Sequence, residues 1–95
     1  MEQRKAQRFD MKLPFELIRG GSVPVAGETR NVSSAGVLFH AQAKLRIGEP
    51  VEYIITLPAT SGRNGVSRLR CIGKVVRFVD DTAVAATLER YEFVR

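Results

Sequence analysis

Two short groups of polar residues set the chemistry of this 95-residue chain. Arg4-Lys5-Ala6-Gln7-Arg8 places two guanidinium groups four residues apart near the N-terminus, and Asn31-Val32-Ser33-Ser34-Ala35-Gly36 places an amide, a hydroxyl and a glycine close together. Each group alone is ordinary: arginines at this spacing suit a solvated face, and Asn, Ser and Gly are what turns are made of. Together they suit a purine nucleotide. Guanine presents O6 and N7 acceptors on one edge, which match the parallel donors of a guanidinium. The same flat group stacks on a purine and neutralises phosphate, which lysine does less well. Asn31 and Ser33 lie two apart, so in an extended segment they point the same way and can bond one ligand. Gly36 permits a tight turn or a left-handed backbone and the close approach of a ligand. The inventory fits a guanine nucleotide with more than one phosphate charge.

Catalytic alternatives are poor. The one histidine, His40, ends a strand with no Asp or Cys partner at a suggestive spacing, and reads as an exposed strand-end residue. Asp80 and Asp81 fall between two strands and read as a hairpin turn rather than a metal site. Cys71 reads as a small buried apolar residue. The glycines form neither a GxGxxG nor a GxxxxGK[ST] pattern. The expectation is no catalytic residue, no metal site and no cofactor.

The elements that must hold the polar groups are strands. Leu13, Phe15 and Leu17 alternate within 12–18, the period of a half-buried strand, and Pro14 puts that strand at an edge or begins it. Short strands are expected over 28–32 and 37–40, flanking the Ser33–Gly36 turn. Val51, Tyr53, Ile55 and Leu57 alternate cleanly across a further strand. Ser61-Gly62-Arg63-Asn64-Gly65 carries a turn signal, and a long strand follows over 68–79. Lys74 and Arg77 are an odd number of residues apart, so both can face outward only across a bulge, expected near Gly73. Asp80-Asp81-Thr82 turns into a last strand over 83–88. Phe15, Phe39 and Tyr53 sit at core positions. Six short antiparallel strands without a long helix predict a small barrel or sandwich.

Composition bounds the rest. At 44% hydrophobic and 26% charged, the chain reads as one globular domain with a single core. No apolar run approaches the roughly 20 residues of a spanning helix. The N-terminus is polar, without a secretory leader, and a single cysteine cannot form an internal disulfide; the expected compartment is the cytoplasm. Fifteen Lys and Arg against ten Asp and Glu give +5, which favours an anionic partner.

The RxxxR segment Arg4–Arg8, followed by the [DN]xSxxG segment Asn31–Gly36, resembles the signature pair of the PilZ domain family. The resemblance implies an all-β fold, a six-stranded antiparallel barrel (11–95) with a flexible N-terminal arm (1–10), and little or no C-terminal helix. It implies a stand-alone receptor of the bacterial second messenger cyclic di-GMP. Arg4 and Arg8 would clamp guanine edges and phosphates from the arm. Asn31 and Ser33 would bond a guanine from the barrel surface, Gly36 would shape the turn, and an unnamed downstream protein would read the bound state. Two other readings compete. One is an interaction module of the same fold that binds no nucleotide. The other is a single-stranded nucleic-acid binder using the basic stripe Arg63, Arg68, Arg70, Lys74 and Arg77, which is disfavoured because no exposed aromatic platform is expected.

Overall fold

A computed structural model describes residues 7–58 and 67–94. The alternation of large apolar and polar residues yields seven strands: β1 (Pro14–Ile18), β2 (Val25–Val32), β3 (Gly36–Ala41), β4 (Pro50–Leu57), β5 (Ser67–Phe78), β6 (Ala83–Thr87) and β7 (Arg90–Val94). All pairings are antiparallel, in the order β4-β1-β2-β3-β6-β5-β7, and β4 also pairs with β5. That extra pairing closes six strands into a barrel, which removes their free edges. β5 makes closure possible by its length. Its first part pairs β4 on one side and β7 on the other, and its last part pairs β6.

The inward positions follow the period-2 reading. Phe15, Phe39 and Tyr53 are essentially fully buried. Their rings stack, with centroids 4.2 Å apart for Phe15–Phe39 and 5.4 Å for Phe15–Tyr53. The Tyr53 hydroxyl donates to the Thr87 carbonyl at 2.9 Å, so the one polar tip in this stack is satisfied. Leu17, Ile55, Cys71 and Val75 complete the centre.

Several expectations change. β2 begins at Val25, three residues before the expected start. Pro14 bears out one of its two expectations: it is the first residue of a strand held between β2 and β4, so its missing N–H is accommodated at the strand start, and the sheet-edge alternative falls. The bulge in β5 falls between Val75 and Arg77, not at Gly73. Gly73 is required for another reason: a Cβ there would lie 1.8 Å from the Thr87 carbonyl oxygen. A seventh strand, β7, lies outside the barrel on β5, where no strand was expected. Among the described residues there is no helix, and so none long and apolar enough to cross a membrane.

Candidate functional site

The site begins with a register shift in β2. Thr29 pairs with Phe39, but Asn31 pairs with Leu38, so Arg30 is an extra residue in the strand. Without it, Asn31 would share the inward face of Thr29, which is 1% exposed. The bulge turns Asn31 outward beside Leu38 and returns Val32 to the side of buried Val37.

The bulge in β5 does the same for Arg77. Val75 pairs with Ala86 and faces the core, Val76 is the extra residue, and Arg77 pairs with Ala85 on the outside. Leu38 is itself the β3 partner of Ala85. The outer face therefore carries one continuous cross-strand row: Asn31, Leu38, Ala85, Arg77. Two bulges aim a polar side chain outward at each end of it.

The N-terminal segment supplies the rim. Phe9 and Val32 exchange backbone hydrogen bonds, each N–H to the other's carbonyl at 2.9 Å. This isolated bridge lays Arg8 against the end of β2. Arg8, Asn31, Ser33, Gly36 and Arg77 all line one open cleft of about 730 Å³, floored by Leu38, Ala85 and Ala86. That volume lies within the roughly 300–1,000 Å³ typical of small-molecule sites. The cleft thus has an apolar floor between two guanidinium groups. Arg4 lies outside the described residues.

Ser33 and Gly36 build the turn. The Ser33 hydroxyl accepts N–H bonds from Ala35 and Gly36, both at 3.1 Å, and the Ser33 N–H donates to the Gly36 carbonyl at 2.9 Å. The Ser33 oxygen is therefore engaged within its own turn. Of the two backbone states open to Gly36, a tight turn or a left-handed conformation, it takes the turn; the positive-φ glycines among the described residues are Gly21 and Gly48. Its requirement is space, since a Cβ would meet the Ala86 carbonyl oxygen at 2.6 Å.

The remaining candidates have structural employment. His40 is half-buried rather than exposed, and its Nδ1 lies 3.0 Å from the Thr82 hydroxyl. Asp80 caps the β5–β6 hairpin, accepting N–H bonds from Thr82 at 2.9 Å and Ala83 at 2.8 Å. The bond from the Thr82 amide is the chief cause that holds its carboxyl below the usual value, and Arg30 adds to it. Burial pushes the Cys71 thiol up to about 11, which keeps it protonated and unreactive at neutral pH. Among the described residues, no cluster of three or more His, Cys, Asp or Glu side chains could hold a metal ion.

The basic stripe of β5 is interrupted. Arg68 pairs with Glu16 at 2.8 Å, and Arg70 pairs with Glu52 and with Glu92. Such exposed pairs add little stability, but they cancel charge along a would-be phosphate track. Arg63 lies outside the described residues. Arg77 belongs to the cleft instead, a role its place in a run of cations concealed.

The sequence matches the PilZ domain family over residues 2–93. No curated protein matches it. The solved structure of the Bacillus subtilis inhibitor of motility, MotI/DgrA, shares the fold, with a TM-score of 0.77 at 16% identity. The match covers 97% of this chain and 45% of that protein, so the chain spans less than half of its structural relative. With a closed six-stranded barrel, the paired motifs Arg4–Arg8 and Asn31–Gly36, and a family match over nearly its full length, the chain belongs to the PilZ domain family of cyclic di-GMP receptors, regulatory modules rather than enzymes.

Proposed function

We propose that this domain binds cyclic di-GMP in the cleft that Arg8 shares with the Asn31–Gly36 turn, that Arg4 adds a further contact to the ligand, and that a separate protein reads the bound state. The observation that carries the reading is the convergence of Arg8, Asn31, Ser33 and Gly36 on one cleft, from two segments far apart in sequence. The ligand offers two guanines and two phosphate charges, and the cleft offers matching groups. Arg8 and Arg4 supply bidentate donors for guanine edges or phosphate. The Asn31 amide supplies both a donor and an acceptor. Ser33 and Gly36 act mainly through the turn, holding the backbone low enough for a flat base to lie over Leu38 and Ala85. Arg77, at the far end of the row, is placed to meet a second phosphate or the face of the distal base.

The ligand adds a second tie between the N-terminal segment, already bridged to β2 at Phe9 and Val32, and the barrel wall, and the altered outer surface is the signal passed on. Calorimetric titration with cyclic di-GMP, GTP, cyclic GMP and a single-stranded oligonucleotide tests the assignment. The expected result is saturable binding of cyclic di-GMP alone. Salt-sensitive binding of the oligonucleotide without binding of cyclic di-GMP would replace this reading with nucleic-acid binding.

A further inference from the structure

Among the described residues, β7 is bound to the barrel on one side only, through β5, and its other edge ends the sheet. Its pairing carries the inward face of β5 past the barrel wall: Tyr91 lies opposite buried Cys71, and Phe93 opposite Leu69. Both aromatic rings emerge on a core-facing row with little beneath them, and each is 63% exposed. Arg90 and Glu92 alternate with them on the opposite face, opposite Ile72 and Arg70. A short edge strand with an open backbone and exposed aromatics is built to receive another strand.

We infer that the strand it receives is β7 of a second copy of this chain, paired antiparallel about a two-fold axis through Tyr91. The order of residues selects that occupant. In this register Arg90 of each copy lies opposite Glu92 of the other, so the opposite charges meet twice, and the Tyr91 rings face each other across the axis. Shifting the register by two residues would place Glu92 against Glu92, which like-charge repulsion disfavours. The surface covered is two aromatics and one strand edge per copy. The dimer is therefore weak and concentration-dependent. It lies on β7, away from the cleft lined by Arg8 and Arg77, so its formation does not depend on the nucleotide reading.

Sedimentation equilibrium of the whole chain, from micromolar to millimolar concentration, tests the inference. The chain should pass from monomer to dimer, and either Arg90→Glu or Glu92→Arg should weaken dimerisation by roughly tenfold or more, because both cross-strand pairs become repulsive. An equimolar mixture of the two variants should recover the dimer, since each then supplies the charge the other lacks. Recovery on mixing also shows that both variants fold. A wild-type chain that stays monomeric throughout, variants that dimerise like wild type, or a mixture that remains monomeric would each overturn the inference.

Discussion

Thr29→Val is the sharpest test of how the site is held. Thr29 is 1% exposed and lies just before the β2 bulge that turns Asn31 outward. Its hydroxyl accepts the Leu13 N–H at 2.9 Å and donates to the Met11 carbonyl at 2.7 Å. One side chain thereby fastens the segment that runs from Arg8 and Phe9 into β1. Valine preserves the shape and removes both bonds. The buried Leu13 N–H then loses its partner at a cost of about 1–3 kcal/mol, while the half-exposed Met11 carbonyl can turn partly to water. The added methyl contributes up to about 0.8 kcal/mol, roughly what the lost Met11 bond costs, so the net loss stays at about 1–3 kcal/mol. For a domain of this size that lowers Tm by roughly 5–20 °C. Thermal unfolding followed by circular dichroism reads the change, with Thr29→Ser, which keeps the hydroxyl, expected to be the milder variant. The variant should also bind cyclic di-GMP more weakly, because the segment carrying Arg8 loses its anchor. A Thr29→Val protein within about 2 °C of wild type and with unchanged affinity would show that this clamp does not position the site.

Three further outcomes follow from the same geometry. Gly73→Ala should be severely destabilising in chemical denaturation, because its Cβ would overlap a fixed backbone carbonyl at Thr87. Cys71 should resist alkylation in the native protein; moreover, because folding raises its pKa from 9.0 to about 11, the stability linked to its neutral thiol is fully present below pH 9.0 and lost as pH rises through about 11, which denaturant midpoints across that range would reveal. Arg77→Ala should lower affinity for cyclic di-GMP by about 5- to 150-fold in calorimetry without lowering Tm, since its exposed side chain contributes to the cleft and not to the core.

The barrel was readable because its inward positions repeat every second residue. Phe15, Phe39 and Tyr53 are legible from alternation alone, and all three meet in the core. What escaped was register. Nothing in Thr29-Arg30-Asn31 marks a bulge, since no glycine is present, yet that extra residue decides which way Asn31 points. In β5 the parity of Lys74 and Arg77 requires a bulge, and one forms between those two residues, at Val76, three positions beyond the glycine that commonly marks such a feature. Arg77 was hidden for a related reason: its neighbours Ala85 and Leu38 come from other strands, and only cross-strand pairing joins them to Asn31. β7 did leave a trace in the alternation Arg90-Tyr91-Glu92-Phe93. Its polar and aromatic residues named no core, and a strand outside the barrel needs none.

The central claim is that Asn31 and Arg8 act on the same bound nucleotide from two sides of one cleft. A calorimetric double-mutant cycle with Arg8→Ala, Asn31→Ala and the double variant measures it directly. Each single change should weaken cyclic di-GMP binding tenfold or more, on the scale of about 1–3 kcal/mol per lost bidentate contact, and the double variant should lose less than the sum. Wild-type binding that survives both substitutions would contradict the account.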